Sequence, residues 1–163
     1  MALGKGIATE RMISLVETIL ILLGLAYLRT WFTQRSPRQK EFLAGKAFTE
    51  LPDGFWPGSA DFPTGSWRGK RFYGSEARGV NVFGDGAEMA ERFVFKMYPA
   101  PGLWDTAHTV TRIDYNVKQN PFWLRPAVDE VVEVAPGKLL GKIHYRLFPG
   151  FSVAIEYFRQ QKQ

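Results

Sequence analysis

The stretch VDEVVEVAPGKLLGKIHYRLFPGFSVAIEYF, residues 128–158, decides the fold. In its first run Val128, Glu130, Val132 and Val134 alternate with Asp129, Val131 and Glu133. A period of two marks a strand, because successive side chains there point to opposite faces. Ala135-Pro136-Gly137-Lys138 then forms the centre of a type II turn: proline presets the first φ and glycine accepts a positive one at the next position. In the second run Leu139, Gly141, Ile143, Tyr145 and Leu147 alternate with Leu140, Lys142, His144 and Arg146, which predicts one apolar face and one largely solvated face. Phe148-Pro149-Gly150-Phe151 is a second Pro-Gly turn, after which Phe151, Val153, Ile155 and Tyr157 continue the apolar face. The stretch therefore reads as three antiparallel strands in a meander.

The same grammar extends backward to Leu51, with glycine and proline punctuating short β-branched and aromatic runs and no helical period. Strands are expected near Phe55 and over residues 67–73, 79–83, 92–98 and 109–116, with Phe93, Phe95 and Met97 on one face. Some eight short strands in the residues after Leu51 suffice to close a barrel, which removes exposed apolar edges.

Upstream lies a different kind of segment. Residues 12–28, MISLVETILILLGLAYL, carry one charge, Glu17, and are followed by Arg29, Trp31 and Phe32. At about 1.5 Å per residue, with the flanking turn included, this run approaches a bilayer core of about 30 Å. The bulky residues after it do not form the small-residue cleavage site of a signal peptide. Lys5 and Arg11 precede the run, whereas Arg29, Arg35, Arg38, Lys40 and Lys46 follow it, an asymmetry that expects the carboxy-terminal part in the cytoplasm. The expected organisation is a short tail (1–11), a single transmembrane helix (12–32), a basic juxtamembrane linker broken at Ser36-Pro37 (33–50) and a β-barrel domain (51–160). The fold class is mainly β, one N-terminal transmembrane helix followed by an antiparallel eight-stranded barrel.

Charge and cysteine content narrow the function. The chain carries 21 Lys and Arg against 16 Asp and Glu, yet residues 51–163 hold 14 against 12, so the basic surplus sits mostly around the anchor. Nucleic-acid binding needs that surplus on the folded domain and is excluded; membrane lipids are the expected partner. With no cysteine, disulfides, Cys-based metal sites and thiol nucleophiles are excluded.

Gly54-Phe55-Trp56 and Gly65-Ser66-Trp67 resemble the G-x-W that opens lipocalin-type barrels, and Arg159 stands where such barrels often place an arginine across that tryptophan. The resemblance covers the domain and not the anchor. It implies a cup-shaped barrel, closed by Trp56, Trp67 and Arg159, with a lipophilic ligand inside. Asn120-Pro121-Phe122-Trp123-Leu124-Arg125 and the meander after it are also similar to small uncharacterised β-rich proteins, which carry no activity over.

No constellation of nucleophile, base and oxyanion donor is legible, so no catalytic residue is expected. His108 and His144 are the only histidines and have neither H-x-H nor H-E-x-x-H spacing, so no metal site is expected. Asp129 and Glu130 are neighbours on a strand and point to opposite faces, which separates them as an acid and base pair.

Two functions fit. In the first, Phe93, Phe95, Tyr115, Trp123, Tyr145, Phe151 and Tyr157 line a cavity for a lipid or other hydrophobic molecule, the one small-molecule occupant expected. The alternative is that these aromatics fill the core and the chain is an accessory subunit of a larger membrane complex of respiratory or photosynthetic type. There Ser14, Glu17, Thr18, Ile21 and Gly24, one stripe of the helix, would dock a neighbouring membrane-protein subunit.

Overall fold

The computed structural model describes residues 3–60 and 65–162, with side chains from Ser14 onward. Two helices come first, α1 (Leu3–Gln34) and α2 (Pro37–Ala44). Eight strands follow: β1 (Gly54–Ala60), β2 (Trp67–Tyr73), β3 (Arg78–Phe83), β4 (Ala90–Pro101), β5 (Thr109–Asp114), β6 (Ala127–Ala135), β7 (Lys138–Phe148) and β8 (Phe151–Gln161). Each pairs antiparallel with the next, and β8 returns to β1, giving a closed barrel. The two Pro-Gly turns stand at the expected positions, with Gly137 at φ 71° and Gly150 at φ 82°.

The apolar residues divide into two cores. Inside the barrel, Trp56, Trp67, Phe72, Phe95, Met97, Ile113, Val131, Leu139 and Phe158 pack together. Outside, Phe42 of α2 lies on Val110, Val132, Leu140 and Tyr157. This second core corrects two expectations. The face of β7 read as solvated is covered: Leu140, Lys142 and His144 are wholly buried. Residues 33–50 are also not a free linker, since Phe42 is wholly buried and Lys46 bridges Glu133. Phe42 seats α2 on the wall presented by Val132 and Leu140, and Gln39 and Glu41 tie it further to Tyr157 and Arg159.

Helix α1 begins at Leu3, so the expected tail is its first turns; residues 1 and 2 of that tail lie outside the described residues. Over Ser14–Gln34 it is long and apolar enough to cross a membrane, and almost none of that window is buried inside the protein. The exception is its last turns, where Thr30 and Thr33 are buried against β8.

The barrel has a weak seam at this point. Among the described residues, strand β1 pairs with β8 only at Gly58–Gln160, Ser59–Arg159 and Ala60–Phe158, and the first half of β8 has no strand beside it on that side. The Ala154 N–H donates to Thr30 Oγ1 at 3.0 Å, and Thr33 Oγ1 lies 3.2 Å from the carbonyl oxygens of Ala154 and Ile155. Arg29 adds a 2.8 Å ion pair to Glu156. Helix α1 thus covers a strand edge that would otherwise expose backbone donors and acceptors.

Candidate functional site in the barrel

One end of the barrel interior is hollow. The cavity measures about 260 Å³ and is walled by Trp67, Phe83, Phe93, Leu124, Ile143 and Phe158, with Ala60 and Ala127 where larger residues would fill it. Its floor is polar: Lys70, Asn81, Tyr115 and Asp129 meet there. The pentapeptides GFWPG (54–58) and GSWRG (65–69) build the adjoining wall together. A Cβ on Gly58 would lie 2.5 Å from the Trp67 ring, and one on Gly69 would lie 2.1 Å from the Trp56 carbonyl oxygen. Gly58 therefore makes room for the Trp67 ring, and Gly69 for the backbone of the first pentapeptide.

The polar floor is dense and satisfied. Lys70 Nζ donates to Asn81 Oδ1 at 2.9 Å and to Tyr115 Oη at 2.5 Å, and it lies 2.9 Å from Asp129 Oδ2. Tyr115 donates to the same carboxylate at 3.0 Å, and the Trp67 indole N–H reaches Asn81 at 3.0 Å. Four rings, of Trp67, Phe95, Tyr115 and Phe158, stand 5.0 to 5.7 Å from the ammonium group. Burial pushes the Lys70 pKa down against the opposing pull of Asp129, and pushes the Tyr115 phenol well above its ordinary value. Lys70 and Asp129 neutralise each other, so the floor offers hydrogen bonds without net charge.

Phe93 reaches the cavity through unusual backbone. Val80 pairs with Val94 and Asn81 with Arg92, so Phe93 is the extra residue of a β-bulge, at φ 61°. A bulky residue in the left-handed region is held there by its surroundings, and bulges re-aim side chains beside functional sites. The Phe93 ring meets Phe83 edge-on at 5.6 Å and Trp123 at 6.0 Å, across the top of the cavity.

The seven aromatics expected to line a cavity are dispersed. Phe93 and Tyr115 do line it. Phe95 is wholly buried in the interior core beside Tyr115, at 5.6 Å. Trp123 is 52% exposed in the loop above Phe93, and Tyr145 donates to its carbonyl oxygen at 2.7 Å. Phe151 stacks on Phe148 at the β7–β8 turn and meets Trp104. Tyr157 is on the outer wall beneath Phe42, its hydroxyl on Gln39. Register shifts in β7–β8 pairing at Ile143/His144 and Arg146/Phe148 explain the last two, because each offset changes which alternate residues face inward.

Other expected residues also find defined places. Trp56 and Trp67 are both buried in the interior core. Arg159 reaches outward to Glu41 of α2, at 2.8 and 2.6 Å, while the Phe158 ring meets Trp67 at 5.8 Å from within. Ser14, Glu17, Thr18, Ile21 and Gly24 are exposed, and the Thr18 hydroxyl donates to the Ser14 carbonyl one turn back, at 2.8 Å. His144 Nε2 stands 3.0 Å from Glu130 on the outer wall, and the His108 ring lies against Phe42. Asp129 faces inward and Glu130 outward, as adjacency on a strand requires.

Lys70 and Asn81 escape sequence reasoning. Alternation from Trp67 puts Gly69, Arg71 and Tyr73 inside, but a register shift between Trp67 and Gly69 turns Lys70 and Phe72 inward instead. The visible signal was the fifth-place glycine of both pentapeptides, which marks a close backbone approach.

No protein-family model matches the chain, and no curated protein is significantly similar to it. Among solved structures, a crystal structure of a protein from Thermomonospora curvata is similar at a TM-score of 0.55 and 14% identity, covering 79% of this chain and 87% of that one. At that identity the likeness concerns the fold alone.

Proposed function

We propose that this chain is a non-catalytic, membrane-tethered binding module whose lipocalin-like barrel takes up a small lipophilic molecule. The observation that carries the reading is the cavity, apolar on its walls and polar at one place, the composition of a site that orients a mostly hydrophobic ligand. At about 260 Å³ it is just below the roughly 300–1,000 Å³ of ordinary ligand pockets. A compact ligand suits it better than a two-chain lipid. Because Lys70 and Asp129 are mutually neutralised, an uncharged polar end such as a hydroxyl, carbonyl or amide matches the floor better than an ion. The charge asymmetry around α1 supports a cytoplasmic position for the barrel.

The test uses the full-length protein in mild detergent and N-phenyl-1-naphthylamine, a compact lipophilic fluorophore with one N–H. Saturable fluorescence enhancement that disappears in Ala127→Phe, with the fold retained by circular dichroism, is the expected result. Equal binding by Ala127→Phe would overturn it.

A second reading, an accessory subunit of a larger membrane complex, is favoured by one observation. The stripe of Ser14, Glu17, Thr18, Ile21 and Gly24 is left exposed by the barrel and remains available to a neighbouring helix. Stoichiometric subunits in a native-membrane extract, lost in Glu17→Leu, would support it over the first reading.

A further inference from the structure

Loops at the two ends of the barrel differ in character. At the cavity end, Met89, Phe122, Trp123, Leu147 and Phe148 are all exposed, Phe122 to 80% and Phe148 to 50%. Loops of the opposite end, 74–77 and 136–137, expose no large apolar side chain, while loop 102–108 folds back over the outer wall, where Leu103 joins the groove and Trp104 meets Phe151. Phe122, Leu147, Phe148 and Phe151 also border an open groove of about 540 Å³ whose polar edge carries Arg125 and Arg146. Exposed aromatics with arginines beside them compose the belt that proteins place at a membrane interface.

The course of α1 gives this rim its partner. Gln34 reaches Lys142, which pairs with Tyr157 of β8, Thr33 sits at Ala154 and Ile155, and Thr30 at Ala154, nearer the β7–β8 turn, while the long Arg29 side chain reaches back to Glu156. Helix α2 continues the opposite way, with Glu41 on Arg159. Traced toward its amino terminus, α1 therefore runs up β8 toward the end that carries Phe148 and Phe122. Its exposed apolar stretch, Leu15 to Leu28, leaves the protein on that side.

We propose that the cavity-end rim, through Phe122, Trp123, Leu147 and Phe148, seats in the headgroup layer of the same bilayer that α1 enters, so that the cavity opens onto lipid. This rests on the reading of α1 as a membrane anchor. It places ligand exchange at the bilayer, where a lipophilic molecule passes into the barrel past Trp123 and Phe93 without crossing water.

Absence of native cysteine allows single-site labelling of the full chain. Leu20→Cys on α1, Phe122→Cys and Phe148→Cys on the rim, and Ser75→Cys at the opposite end would each carry the environment-sensitive fluorophore NBD. The proteins would be reconstituted in phosphatidylcholine–phosphatidylglycerol vesicles containing lipid with a shallow doxyl quencher. The expected result is a blue shift and strong quenching at positions 20, 122 and 148, several times that at 75. Quenching at 20 with water-like signals at 122 and 148 would overturn the rim proposal and leave the anchor intact. No quenching at 20 would overturn the anchor and the rim proposal together.

Discussion

Thr30 Oγ1 accepts the N–H of Ala154 at 3.0 Å, a hydrogen bond between the membrane-type helix and the backbone of β8, whose first half has no strand beside it on that edge among the described residues. Thr33 serves the carbonyl of the same residue at 3.2 Å. Two threonines at the end of α1 thus substitute for a strand partner and tie the helix to the barrel. The barrel is closed as a sheet over three pairs of β1 and β8 and as a wall by the helix.

Replacing both hydroxyls while keeping shape tests that joint. Thr30→Val with Thr33→Val leaves Ala154 unsatisfied in a buried place, at a cost of about 1–3 kcal/mol for each orphaned group. Thermal unfolding in detergent should fall accordingly, and amide exchange should accelerate at Ala154 before it does in β3 or β4.

Lys70 and Asp129 should behave as a buried pair, not as two independent charges. Lys70→Met alone strands the Asp129 carboxylate among aromatic rings and should cost about 3–5 kcal/mol. Lys70→Met combined with Asp129→Leu should recover most of that loss, because replacing a whole buried pair is often neutral or stabilising. Denaturant midpoints of the wild type, both singles and the double form the cycle that measures the coupling.

Gly69 should tolerate no side chain. At φ 141° a Cβ would also sit 2.1 Å from the Trp56 carbonyl oxygen, so Gly69→Ala meets a backbone atom as well as strain. Gly86, at φ 54° with nothing within 4 Å, shares the strain alone. Gly69→Ala should therefore lower the melting temperature clearly more than Gly86→Ala does.

Acid should loosen the helix cover before the interior. Burial would raise the Asp105 pKa, but the hydrogen bond and charge of Lys142, 2.7 Å away, hold it below the usual aspartate value. Glu130, beside His144 and Lys142, is likewise held down against the effect of burial. For both carboxylates the folded state binds its proton less readily than the unfolded chain. Their stabilisation is therefore complete above the unfolded values, about 4, and is lost as pH falls through the lower folded values. Melting temperature should drop steeply below about pH 4. Asp105→Asn should start lower at neutral pH and show a shallower acid dependence.

Much of the architecture was legible beforehand, for physical reasons visible in particular residues. Alternation from Val128 to Tyr157 with two Pro-Gly turns specifies antiparallel strands, because a period of two and a preset turn are local properties of the chain. The apolar run before Arg29 likewise announces a membrane-type helix by composition alone.

The site was much less legible. A one-residue bulge reverses which side chains face inward, and the shifts at Trp67/Gly69 and Val80/Asn81 did this where the cavity lies. Lys70 came inside through one of them, and Phe93 took its bulged position at the other.

By itself, then, the sequence determined the elements: one long apolar helix, eight antiparallel strands and the turns between them, all set by contacts a few residues apart. Tertiary structure alone decided which groups those elements bring together. Lys142 became buried because Gln39 and Phe42 of α2, with Asp105, close over a wall that alternation would have left in water. Lys70, Asn81, Tyr115 and Asp129 converge from four different strands or their ends. Such convergence depends on register and closure, which are properties of the whole barrel and of no single segment.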